Sequence, residues 1–273
     1  MNAWQPELKN MYHCVDQAMG EITNALQKFS GSQELPLQDM RVKLITSLMK
    51  LSSHPAYGPV LYDLMNYDVY TFRHSIGVAL VARWIGKARG LNSIDLQTLT
   101  ACGLLHDIGK RQVPLAILNK AGRLSRVEYE EIKLHPEWGF KMLEGAPDVD
   151  PRIMRVILKH HEREDGSGYP YGIMGKDIDL FSKITAVADV FHATISNRVY
   201  RAPLPVYTIL EWMNRHEFGE LEEESVLCLQ RKVMSLLIGR PVTLSNGAVG
   251  RVVMIPFTNP LRPLVEVRGR LID

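Results

Sequence analysis

Cysteine is scarce in this 273-residue chain: Cys14, Cys102 and Cys228 stand far apart, odd in number and without CxxC spacing. That pattern excludes a disulfide framework and a thiolate zinc site, and it fits a reducing compartment. Long apolar runs are missing too, so no stretch reads as membrane-spanning, and the opening MNAWQPELKN has no signal-peptide core. Neither sign of charge dominates: 32 Lys and Arg stand against 30 Asp and Glu, a formal net charge of +2. A nucleic-acid polymer as partner would call for a basic excess or stripe, so none is expected; a local anion pocket stays open. The expectation is a cytoplasmic protein with no membrane partner.

What the chain does have is helical patterning. Hydrophobic residues make up 46% and charged residues 23%, ordinary for a globular protein, and the length suits one large domain with an appendage. Met11, Val15, Met19, Ile22, Leu26 and Phe29 recur at helical spacing and give either a packing stripe or a dimerisation helix. Further helices are expected at about 38–51 and 58–66, and from Tyr67 to near Gly90, the last burying Ile76, Ala79, Leu80 and Trp84. Ser93 is the expected cap of the next, with Leu96, Leu99, Cys102 and Leu105 inward and Gly109 as its stop. Ser125 and Glu128 form a capping box for a helix ending at His135-Pro136. Asp150 and Pro151 open the one ending at His160. A helix over SKITAVADVFHATISNRVYR turns Ile184, Val187, Ala188 and Phe191 inward, with Asp189 on or beside that face. Two more follow, at about 205–216 and 220–236. After Gly239 the period switches to alternation around Asn246-Gly247, a hairpin signal, with a third strand in RPLVEVRG. The expected organisation is mainly α: an N-terminal helix and linker over 1–37, a helical bundle over 38–238 and a small β appendage over 239–273.

Chemistry concentrates in the histidines. Five of the nine, His74, His106, His135, His160 and His161, fall on helices or helix ends, accompanied by Asp107 and Asp189. Imidazole and carboxylate donors without thiolate suit iron, manganese or zinc and disfavour a closed structural zinc site. Seven candidates are too many for one ion and suit two bridged by an aspartate. Paired metals polarise a phosphoryl group and lower the pKa of a water between them, so metal chemistry on phosphate esters is the reading from residue types alone.

HDIGK at 106–110 together with HHEREDGSGYP at 160–170 resembles the HD-GYP family, a branch of the HD-domain metal-dependent phosphohydrolases. YTFRHS, LAILNKAGRLSRVEYEEIKLHP and TAVADVFHATISNRVYR are similar to that family as well, so the resemblance runs from about residue 40 to 236 and into the β tail. It implies an HD-type bundle of roughly seven helices that hydrolyses cyclic di-GMP to pGpG, and in some members on to GMP. Carried over position by position, it implies His74, His106, Asp107, His135, His160, His161 and Asp189 as ligands of two divalent ions, iron or manganese, with Asp107 bridging. Lys110 matches the lysine on the scissile phosphate, Arg198 and Arg201 match residues that grip phosphate, and Tyr169 belongs to a loop at 168–170 beside the site. That loop is linked in the family to diguanylate cyclase partners, although a purely conformational role fits Gly168 and Pro170 equally. Two positions depart from the pattern. Tyr70 stands where some members have a glutamate for a third metal, which favours two metals and pGpG as product. His192 stands where Asp is common, which either retunes hydrogen bonding around the site or adds an eighth nitrogen donor. The competing readings are a phosphodiesterase of 3′,3′-cyclic GMP-AMP and a non-catalytic sensor or interaction module for cyclic dinucleotides.

Overall fold

The computed structural model describes residues 72–120, 122–146, 149–196 and 206–272. The helices expected at 1–30, 38–51 and 58–66, and Tyr70, Arg198 and Arg201, lie outside these residues. Helix α1 (Phe72–Ala88) is the hub. Its apolar residues were expected to mark one face, yet every residue from Ile76 to Gly86 is buried, because α2 (Ser93–Leu105), α7 (Leu180–Ser196) and α9 (Glu223–Ser235) pack around it. A helix buried all round has no solvent face to offer and becomes the centre of its layer.

Around this hub run α3 (Leu115–Leu118), α4 (Arg126–Ile132), α5 (His135–Leu143), α6 (Pro151–Lys159) and α8 (Val206–His216). Their boundaries follow local chemistry, with three corrections. Asn92, not Ser93, caps α2, its side chain accepting from the backbone N–H of Ile94 and Asp95 at 2.9 and 3.0 Å. Ser93 is the first helical residue, since an amide oxygen reaches the free N–H groups of the first turn as well as a hydroxyl does. Gly109 does not stop α2, which ends at Leu105; it lies inside a 3₁₀ turn, Ile108–Gln112. The capping box of Ser125 and Glu128 opens α4 as expected, but α4 ends at Ile132, and His135-Pro136 begins α5. Proline fits a first turn, where its missing N–H leaves nothing unbonded. Asp150 caps α6 through Arg152 N–H.

Ile184, Val187, Ala188 and Phe191 of α7 are fully buried against α1, and each large apolar side chain so buried stabilises the bundle by about 1.5–3 kcal/mol. The appendage is a four-stranded antiparallel meander, β1 (Pro241–Thr243), β2 (Val249–Met254), β3 (Leu264–Val267) and β4 (Arg270–Ile272). The fourth strand was not expected. Arg268 and Gly269 turn the chain with φ of 51° and 77°, a tight connection that Asn-Gly or Asp-Gly would have announced and Arg-Gly does not. Val252 and Val265 bury the inner face of the sheet. Arg231 on α9 fastens it by donating to the Phe257 carbonyl at 2.7 Å and stacking on its ring.

Candidate metal centre

Four helix ends and one helix interior bring the seven sequence-predicted side chains together. His106 is the C-cap of α2 and Asp107 follows it. His135 opens α5, His160 closes α6 with His161 next, His74 lies in the first turn of α1, and Asp189 projects from the middle of α7. Helix ends suit this task, because a side chain there leaves the helical repeat and can face a centre that several elements share.

Backbone carbonyls orient the rings. His106 Nδ1 lies 2.8 Å from Gly103 O, His135 Nδ1 2.8 Å from Ile132 O, and His160 Nδ1 3.0 Å from Ile157 O. A carbonyl only accepts, so each Nδ1 carries the proton and each Nε2 presents its lone pair to the centre. Those lone pairs crowd: His135 Nε2 and His160 Nε2 stand 3.3 Å apart. His106 Nε2 and Asp107 Oδ1 are buried without a hydrogen-bond partner. Converging acceptors and orphaned buried atoms are what a cation would satisfy, and the donor set fits a divalent metal.

The cluster has two lobes that share one carboxylate. Asp107, His135, His160 and His161 each offer a donor atom, all within 4.8 Å of one another, and His74, His106 and Asp107 do the same. Asp107 divides its oxygens between them. Oδ1 is 3.3 Å from His135 Nε2 and 3.7 Å from His160 Nε2. Oδ2 is 3.3 Å from His106 Nε2 and 3.8 Å from His74 Nε2. Asp189 sits on the second lobe, with Oδ1 3.0 Å from His74 Nε2 and 3.8 Å from His106 Nε2.

Electrostatics favour the ligand form of Asp107, Asp189, His160 and His161. Burial works against charge on Asp107, but His106 and Lys110 outweigh it and hold the carboxyl well below its ordinary value. Burial likewise opposes charge on Asp189, and His74 and His106 hold it well below the usual range. Burial pushes His160 down to about 4 and His161 well down. His106 moves the other way: the Asp107 charge overcomes its burial and raises it.

The remaining predicted residues divide. Lys110 Nζ lies 2.6 Å from Asp107 Oδ2, on the second lobe. Tyr169 stacks on His161 at 4.5 Å between centroids, and burial pushes its phenol above the ordinary range, so the hydroxyl stays protonated. Gly168 has a steric role: a Cβ there would sit 2.5 Å from Arg163 N, Glu162 Cα and His161 O. His192 packs beside His74 with the two Nδ1 atoms 3.1 Å apart, and burial lowers it to about 3. It lies outside the two donor groups and touches His74, a ligand candidate. Sequence reasoning missed Glu162. Its carboxylate is buried and accepts from Tyr171 N–H at 2.8 Å and Ile173 N–H at 3.1 Å, holding the 166–174 loop against the histidine pair. The signal was its place directly after His160-His161, at a helix end where a buried acid needs donors.

A family model described as an HD domain matches residues 59–218. A cyclic di-GMP phosphodiesterase of Pseudomonas aeruginosa is 35% identical over 220 residues, which are 78% of this chain and 51% of that protein. The 3′3′-cGAMP-specific phosphodiesterase 1 of Vibrio cholerae is 40% identical over 160 residues, 57% of this chain and 36% of its own length. The chain thus spans about half of these relatives or less. An HDG"Y"P protein from Bdellovibrio bacteriovorus has a similar structure, with a TM-score of 0.62 at 19% identity over 77% of this chain and 68% of that one, a likeness of fold.

Proposed function

Because this chain belongs to the HD-domain family, with the GYP segment of its HD-GYP branch, we propose that it is a metal-dependent phosphodiesterase that opens cyclic di-GMP to linear pGpG. The observation that carries this reading is the two-lobed cluster around Asp107, in which inward Nε2 atoms and carboxylates converge. His135, His160, His161 and Asp107 would hold one divalent ion, and His74, His106, Asp107 and Asp189 would hold the second, iron or manganese as the HD-GYP resemblance implies. Two such ions supply Lewis acidity at the phosphoryl group and a nucleophile available at neutral pH. One water is consumed: the bond from phosphorus to one 3′ oxygen breaks, that oxygen leaves as a hydroxyl, and a terminal 5′ phosphate remains.

The protein's own side chains position and compensate charge. Asp107 keeps both oxygens ionised, one for each lobe. Lys110, a cation on the rim of the second lobe, donates to a phosphoryl oxygen and offsets the negative charge that grows on the departing 3′ oxygen. Arg198 and Arg201, outside the described residues, serve as guanidinium forks for the phosphates. Tyr169 walls the first lobe as a neutral ring. The 168–170 loop is the proposed surface for a diguanylate cyclase domain, and a homodimer is the proposed assembly.

The V. cholerae relative named for 3′3′-cGAMP supports a second substrate within the same chemistry. The test is anaerobic incubation of iron- or manganese-loaded protein with each dinucleotide, with chromatographic separation of products. Accumulation of pGpG is expected from cyclic di-GMP. Faster loss of cyclic GMP-AMP would reassign the substrate. Bound metal with no turnover of either would leave a sensor of cyclic dinucleotides as the better reading.

A further inference from the structure

His106, His135 and His160 take their orientation from backbone carbonyls, as described above. His74 takes its own from a side chain 118 residues away. His74 Nδ1 faces His192 Nδ1 at 3.1 Å, with the rings tilted by 60°. Two imidazole nitrogens at that distance bond only if one donates and the other accepts. For His74 to present an Nε2 lone pair to an ion beside His106, Asp107 and Asp189, whose Oδ1 lies 3.0 Å from that nitrogen, its proton must sit on Nδ1, and His192 Nδ1 must accept it. The second observation concerns space. A Cβ added at Gly77, one turn after His74 on α1, would run into His192 Nε2 and Cδ2. Gly77 therefore opens the seat in which the buried His192 ring lies.

We propose that His192, seated against Gly77, is the positioning residue for His74 and thereby sets the metal affinity of the lobe formed by His74, His106 and Asp107. The proposal rests on the metal-centre reading above. It also has a consequence for charge: with an imidazole in this place, Asp107 and Asp189 are, among the described residues, the anions within reach of His74. The lobe is one negative charge poorer than it would be with aspartate at 192.

Titration of the full chain with Mn²⁺, counted from the electron paramagnetic resonance signal of the free ion, tests this independently of turnover. Wild type should hold two Mn²⁺ per chain; failure to bind any would overturn the metal-centre reading itself. His192→Leu fills the seat but cannot accept a proton, and should loosen one of the two ions about 10- to 100-fold, the usual effect of losing a ligand's hydrogen-bond partner. His192→Asn places an amide oxygen near the Nδ1 position and should stay close to wild type, although it leaves a void. Gly77→Ala displaces the ring and should resemble His192→Leu. A role in packing alone predicts the reverse order, with Asn worse than Leu. That order, or wild-type affinity in the Leu variant, would overturn the proposal.

Discussion

Replacing Glu162 by alanine should free the loop beside the metal centre without touching any metal-ligand candidate. Glu162 is 2% exposed, and its two oxygens accept from Tyr171 N–H at 2.8 Å and Ile173 N–H at 3.1 Å. Removing the carboxylate leaves both donors without their partner. A hydrogen bond to a charged group contributes about 1.5–3 kcal/mol, so the pair contributes about 3–6 kcal/mol to keeping the loop closed. At tenfold for each 1.4 kcal/mol, the Tyr171 and Ile173 amides should lose about 10²- to 10⁴-fold of their protection against hydrogen exchange. The Val252 amide, bonded to the Arg240 carbonyl at 3.2 Å in the sheet, should keep its own. Glu162→Gln retains one oxygen for one of the two donors and should fall between. The bond from Tyr169 N–H to the His161 carbonyl, 3.1 Å long, is next in the chain of contacts, so Tyr169 should also leave its stack on His161. Unchanged exchange at both amides in Glu162→Ala would refute the idea that this acid holds the loop.

Three further outcomes are expected. Mn²⁺ at a hundredfold excess over its Kd should raise the wild-type melting temperature by about 5–10 °C, and Asp107→Ala, which removes the donor common to both lobes, should abolish that rise in a thermal melt. Gly168→Ala forces a Cβ to within 2.5 Å of backbone atoms of Glu162 and Arg163, and should cost about 1–3 kcal/mol in denaturant unfolding. The Arg152 guanidinium, bonded to Asp150, holds that carboxyl below its ordinary value of 3.8. Because the folded value is the lower one, the pair stabilises above the unfolded value and the gain is lost as pH falls through the folded one. Asp150→Asn keeps a cap and removes the charge, so urea melts should show a loss of about 0.5–1 kcal/mol at neutral pH, discounted for solvent screening, and the gap should close in acid.

The amino-acid sequence by itself determined the parts of this protein that local chemistry governs. Helix starts at Ser125 and Asp150, the inward residues of α7 and the hairpin at Asn246-Gly247 follow from capping, helical period and turn preference, which act over a few residues. The pairs His106-Asp107 and His160-His161 were legible as ligand candidates because both partners are neighbours in the chain. The tertiary structure decided what depends on residues far apart. It divides the two oxygens of Asp107 between two lobes, sets Lys110 on that shared carboxylate, and brings His192 into the space that Gly77 leaves beside His74. It also turns Glu162, an unremarked acid after two histidines, into the clasp of the loop. Bond directions and close approaches of this kind arise only when helices cross, because a side chain's partner is set by packing across the bundle and not by its neighbours along the chain.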